Sequence, residues 1–232
     1  MKQKLIVEGH NDILVISHLL MAKNLRITGY NTKERYEKEF VSIGTGKSNN
    51  DGGKENALKA FKAALKTEEL DRIGLVVDAD SETANPAIDT WRSIRNILQQ
   101  NGYQNLPAEP NPSGTIIAET DKALIGVWIM PNNDSEGYLE HFFEGLINPN
   151  DEFLEEARRI TEGFVSDERN RFSPTHQQKA KIRTWLAWQD DPESPMGLAL
   201  RDYPRLGYMS LDTPLVESFY DWLQLCFDTY VE

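Results

Sequence analysis

Ile73-Gly74-Leu75-Val76-Val77-Asp78-Ala79-Asp80 is the stretch that decides the fold of this chain. Ile73 to Val77 is apolar throughout, as a strand covered by helices on both faces should be, and aspartates follow directly. Far upstream, Lys4-Leu5-Ile6-Val7-Glu8-Gly9-His10-Asn11-Asp12 has the same plan, a short apolar run that ends in acids. Laid parallel, the two runs carry Glu8, Asp78 and Asp80 out of one sheet edge, where open α/β sheets bind ligands. Asp78 and Asp80 stand two apart, so on an extended chain they point the same way. Gly9 permits a sharp turn beside Glu8. Carboxylates gathered like this repel one another unless cations lie between them. Hard oxygen donors select Mg²⁺ or Mn²⁺ over zinc, and one Cys and four His (10, 18, 141, 176) give a zinc site little support. An isolated Asp-x-Asp reads most simply as a cap on the next helix. The two motifs together favour a divalent-metal site for phosphoryl chemistry.

Outward from these runs, strands alternate with helices. Residues 3–7 form the first strand. Asn11 or Asp12 is placed to cap a helix from about 12 to 23. Val41-Ser42-Ile43 is a short strand candidate, and the glycine-rich stretch Gly44–Gly53 reads as a loop. Ala57, Leu58, Phe61, Ala64 and Leu65 stripe a helix over about 54–66. Ser81 or Thr83 is placed to cap a helix reaching about 101, with Pro86 in its first turn and a stripe of Ile88, Trp91, Ile94 and Leu98. Strands are predicted at Gly114–Ala118 and Leu124–Met130, the latter ended by Pro131. Helices follow at about 138–146, 151–163, 175–188 and 213–230, with joints at Asp190–Pro195 and Tyr203–Pro214. The expected architecture is α/β: a Rossmann-like, mostly parallel central sheet flanked by helices. Residues 1–131 make up the metal-binding core, and 132–232 a helical C-terminal extension packed on it.

Composition narrows the function. The 232 residues carry 25 Lys and Arg against 37 Asp and Glu, a formal charge of −12. So acidic a chain is no free-standing nucleic-acid clamp, because phosphate binding needs a basic face, bound metals or a basic partner. The single cysteine, Cys226, allows no internal disulfide, which suits the cytosol, and its apolar neighbours mark it as a buried small hydrophobe. Ile13–Met21 is apolar, but it contains Ser17 and His18 and follows an acidic motif. It therefore reads as neither signal peptide nor membrane span, and a cytoplasmic location is expected.

Val7-Glu8-Gly9-x-x-Asp12 with Val77-Asp78-Ala79-Asp80 resembles the Toprim domain, the metal-binding core shared by topoisomerases, bacterial primases, small maturation ribonucleases and OLD-class (overcoming lysogenization defect) nucleases. Trp128-Ile129-Met130-Pro131-Asn132-Asn133, Gly137-Tyr138-Leu139-Glu140 and Lys179-Ala180-Lys181-Ile182-x-x-Trp185-Leu186-Ala187 resemble a stand-alone Toprim family of uncharacterised function. The resemblance implies that Glu8 acts as general acid/base or metal ligand and that Asp78 and Asp80 hold Mg²⁺. By similarity to the OLD branch, Asp12 and Glu140 join them as ligands of two Mg²⁺ or Mn²⁺ ions, and Lys179 or Lys181 supplies the catalytic lysine. Gly52-Gly53-Lys54 looks like that branch's glycine-rich turn.

Each added residue also has a plainer reading. Asp12 caps the first helix equally well. Glu140 beside the stripe Leu139, Phe142, Phe143 and Leu146 fits solvent as well as a site rim. Glu82 reads as a solvated first-turn acid, and Lys179 and Lys181 near Arg183 as a surface helix. His10 reads as a solvated loop residue and His18 and His141 as covering helix faces. Trp185 and Trp188 read as core rather than base-stacking platforms.

There is no Gly-x-x-x-x-Gly-Lys-Ser/Thr. In Gly44-x-Gly46-Lys47-Ser48 the first glycine stands too close to the lysine. An OLD-like system would therefore draw its ATPase from another polypeptide. The expected function is a Mg²⁺- or Mn²⁺-dependent nuclease acting on DNA or RNA, with defence against phage or foreign DNA as the analogy. The alternatives are a non-catalytic module binding nucleic acid or nucleotide, and hydrolysis or transfer on a small phosphorylated substrate. Self-association is left open.

Overall fold

The computed structural model describes residues 1–30, 35–44, 52–67, 69–80 and 83–231. Most of the predicted Gly44–Gly53 loop, including Lys47 and Ser48, lies outside them, as do the candidate cap Ser81 and the neighbouring Glu82.

The chain is mixed α/β. A five-stranded sheet has the order β3-β1-β4-β6-β5, formed by β1 (Gln3–Val7), β3 (Val41–Ile43), β4 (Arg72–Asp78), β5 (Thr115–Ile117) and β6 (Leu124–Met130). β1 runs parallel to β3 and β4, and β4 parallel to β6; only β5 is antiparallel. The parallel strands demand covered faces, and alternate side chains supply them. Ile6, Ile73, Leu75, Val77, Ile125, Val127 and Ile129 pack with Phe61 of α2 (Lys54–Thr67) and with Trp91, Ile94 and Leu98 of α3 (Pro86–Gln100). Leu5, Val7, Val76, Trp128 and Met130 face the other way, toward Val15, Ile16 and Leu19 of α1 (His10–Ala22) and toward the C-terminal helices.

Those helices are α4 (Leu139–Glu144), α5 (Glu152–Val165), α6 (Gln177–Ala187), α7 (Met196–Leu206) and α8 (Pro214–Cys226). α8 lies on the sheet because two strand glycines give it room. A Cβ on Gly74 would fall 2.4 Å from the Phe227 ring, and one on Gly126 would fall 2.3 Å from Cys226 Sγ. Cys226 is fully buried there, a packed thiol rather than a nucleophile. Gly126→Ala is therefore expected to cost about 1–3 kcal/mol in urea unfolding, and less in a Cys226→Ala background where the nearest atom is gone. Equal losses in both backgrounds would show that this contact does not set the cost.

Several sequence expectations are corrected. α1 starts at His10 with Gly9 as its N-cap, so neither Asn11 nor Asp12 caps it. α3 starts at Pro86 after Asn85, not at a Thr83 cap. The last helix stops at Cys226, and Thr229–Val231 instead forms β7, antiparallel to an unpredicted β2 (Leu25–Ile27). α7 is a further element that the sequence pattern does not announce. Gly197 and Pro204 argue against a helix, yet Met196, Ala199, Leu200 and Tyr203 keep its spacing and are buried. Gly197 also lets α7 close on α1, since a Cβ there would meet Leu14 Cβ at 2.5 Å. Trp185 is core, but Trp188 is 37% exposed.

Candidate functional site

The parallel register levels the strand ends, with Ile6 opposite Leu75 and Asp78 opposite Met130. Glu8 therefore leaves β1 beside the end of β4, and its Oε1 accepts the Asp78 N–H at 2.7 Å. Gly52 fits against this turn only as glycine. Its φ is +101°, and a Cβ would sit 2.8 Å from the Glu8 carbonyl oxygen. The Gly53 N–H donates to that same carbonyl.

Asp78 ends β4, and its Oδ1 accepts the Leu139 N–H at 3.0 Å. It thus caps α4, a helix distant in sequence, rather than the helix that follows it. Asp80 does not continue the strand. Its φ is +69°, and it exchanges backbone hydrogen bonds with Gly137. Extended-chain alternation therefore does not orient its side chain; Lys54 does. Lys54 Nζ donates to Asp80 Oδ2 at 2.6 Å, to the carbonyls of Asp78 and Ala79, and to Thr90 Oγ1 at 2.9 Å.

Asp12, in the first turn of α1, is 6% exposed, and Glu140, in the first turn of α4, is 9% exposed. Both face inward. Burial pushes the Asp12 carboxyl up to about 8, helped by the charges of Asp78 and Glu140 and opposed by the N–H groups of Gly9 and Asp12 itself. Burial also lifts Glu8 to about 7. The charges of Asp12 and Asp80 add to this, while the Asp78 N–H and Lys54 oppose it. Asp78 is raised well above the ordinary carboxylate range, first by burial and then by Glu8, Glu140 and Asp80. Glu8, Asp12, Asp78, Asp80 and Glu140 thus share one electrostatic site, assembled from the ends of β1 and β4 and the first turns of α1 and α4.

Of the two expected lysines, one is committed to a carboxylate outside the rim and the other is at the surface. Lys181 pairs with Glu144 at 2.7 Å, joining α6 to α4. Lys179 is exposed, with its Nζ 5.6 Å from the Tyr138 ring centre. Among the described residues, the cation at the acids is Lys54; the Gly52-Gly53-Lys54 turn is visible in the sequence, but the place of its lysine at the acids is not. Thr90, buried behind it, had no signal beyond an ordinary helix residue. His10 is exposed; His18 Nδ1 contacts the Leu14 carbonyl at 2.8 Å, and His141 Nδ1 accepts the Tyr138 N–H at 3.2 Å.

Among the described residues, no three acid or imidazole groups stand close enough to chelate an ion in this arrangement. The donor chemistry nonetheless fits a hard cation. Glu8 and Asp78 each spend one oxygen on a backbone N–H and keep a second, and the buried Asp12 and Glu140 carboxylates add to the same negative field. Comparison with curated proteins gives no match, and comparison with solved structures gives none. A family model described as a protein of unknown function (DUF3226) matches residues 2–228. The chain belongs to the DUF3226 family.

Proposed function

We propose that the acidic rim holds Mg²⁺ or Mn²⁺, in all two ions, and that the protein is a nuclease hydrolysing phosphodiester bonds of DNA or RNA on a Toprim-like fold. The observation that carries this reading is the gathering of Glu8, Asp12, Asp78, Asp80 and Glu140 at the carboxyl edge of a parallel sheet, with Lys54 as the cation that reaches them among the described residues. A fold does not keep mutually repelling buried acids for stability, because burying an unpaired charge is costly. Divalent ions bound there supply activation of water and neutralisation of phosphate charge.

The chain's own residues do the rest. Lys54 fixes the Asp78–Asp80 turn and holds Asp80 at the edge, where that side chain is 43% exposed. Glu8, anchored through one oxygen, keeps the other to bind an ion or take a proton from the attacking water. Gly52 and Gly53 seat the turn that carries Lys54. At −12, the chain repels a polyanion overall, so the substrate phosphate is drawn to the rim by its ions and by any basic partner, such as a separate ATPase subunit.

A second reading, a binding module without turnover, draws on the Lys54–Asp80 pair, which neutralises one acid without any ion. Purified protein incubated with Mn²⁺ or Mg²⁺ and supercoiled plasmid, linear DNA or RNA separates the two. The nuclease reading expects cleavage of at least one substrate that a chelator stops. Calorimetric binding of nucleotide or nucleic acid, with every substrate left intact even beside a cognate ATPase, would favour the module instead.

A further inference from the structure

The C-terminal helices form a second concavity that shares no residue with the acidic rim. A cavity of about 390 Å³ opens between the α4–α5 connection, the end of α6 and the end of α7. Among the described residues, its walls carry three carboxylates, Asp151, Glu152 and Asp190, and three rings, Phe153, Trp188 and Tyr208, with no lysine or arginine. Phe153 is 53% exposed and Trp188 37%, and their rings meet edge to face at 6.3 Å. An aromatic pair left to water is unfavourable, and here it shares its walls with three carboxylates.

Two of the acids are held in place. Asp151 Oδ1 accepts the indole N–H of the buried Trp185 at 3.0 Å and the Leu154 N–H at 2.9 Å. Asp190 Oδ2 accepts the Tyr208 hydroxyl at 3.2 Å. Each keeps another oxygen. An anion would be repelled, and an apolar group would bury the carboxylates without partners. A cation that is flat enough to lie on a ring and able to donate to a carboxylate at its edge satisfies both surfaces. A guanidinium does this better than an ammonium, being planar and weakly hydrated.

We propose that this pocket receives an arginine side chain from a basic segment of a partner protein. The chain's formal charge of −12 supplies the long-range complement to such a partner. The exposed Trp188 and the half-buried Tyr208 are also of the residue types that dominate binding at protein interfaces.

The test uses the full chain and a labelled, arginine-containing basic peptide, the same peptide with citrulline in place of arginine, and free arginine. Expected results are saturable binding of the arginine peptide, about tenfold weaker binding of the citrulline form, and much weaker binding of free arginine. Trp188→Ala and Asp190→Asn, both at exposed positions, are each expected to weaken the peptide about tenfold. Glu168→Gln, the same charge change at an exposed site outside the pocket, is expected to leave binding within about twofold. Absence of binding would overturn the proposal. So would equal loss in Glu168→Gln, which would mean diffuse charge attraction, or free arginine binding as tightly as the peptide, which would mean a small-molecule site.

Discussion

Glu8→Ala and Asp80→Ala are each expected to lower Mn²⁺-dependent nicking of supercoiled plasmid by at least about a thousandfold, with the fold intact by circular dichroism. Glu8 lies between the backbone of β4 and the other acids, and the Asp80 side chain is 43% exposed, so under the proposed function each removal takes an ion ligand that no neighbour replaces. The lysines give the sharper contrast. Lys54→Met is expected to cost about a hundredfold, because it releases the Asp80 side chain and, under the proposed function, removes the cation nearest the substrate phosphate. Lys54→Arg should recover part of that loss if charge matters beyond packing. Lys179→Met and Lys181→Met are expected to stay within about threefold, since Lys181 is committed to Glu144 and Lys179 to solvent and Tyr138. Full activity in Lys54→Met, with large losses in Lys181→Met, would return the catalytic lysine to α6 and exclude Lys54 from the chemistry.

That contrast marks where the sequence could be read and where it could not. The parallel strands were legible because Leu5–Val7, Ile73–Val77 and Leu124–Met130 are apolar on both sides of the pleat, a pattern few other structures satisfy. Glu8 and Asp78 were legible for a related reason: an acid that directly follows such a strand emerges at the sheet edge whatever the connections do. The lysine was not. Lys54 reaches Asp80 across two elements, and only the glycine turn closing on the Glu8 carbonyl brings it there, a tertiary fact without periodicity. Glu140 was ambiguous because the hydrophobic stripe of a six-residue helix barely constrains its neighbours; Asp78 capping Leu139 turns it inward. α7 was missed because Gly197 and Pro204 break helices in water, whereas packing against α1 decides the matter here. β2 and β7 are three residues each, too short for alternation to register, and they find each other from opposite ends of the chain.

The buried acids should also make the ion-free protein lose stability as pH rises. Asp12 titrates near 8 when folded against an ordinary value of 3.8, and Glu8 near 7 against 4.5. Between those limits the folded chain holds protons that the unfolded chain has released, so stability falls with pH. The contribution is fully present below about pH 4 and is lost as pH climbs through the folded values toward 8. In chelator, the melting temperature is expected to drop from pH 5.5 to pH 8, and added Mg²⁺ should restore most of the loss at pH 8, because an ion binds the ionised acids of the folded state alone. Asp12→Asn removes the most deeply buried of these groups. It is expected to raise the stability of the chelated protein at pH 8 by roughly 2–4 kcal/mol, about 5–10 °C, and to shrink the stabilisation by Mg²⁺. A residue kept solely as a helix-turn acid would behave the other way, with Asp12→Asn neutral or destabilising at every pH and indifferent to the ion. Melting curves of both proteins, with chelator and with Mg²⁺ at the two pH values, decide between a carboxylate the fold tolerates for an ion's sake and one the helix keeps for itself.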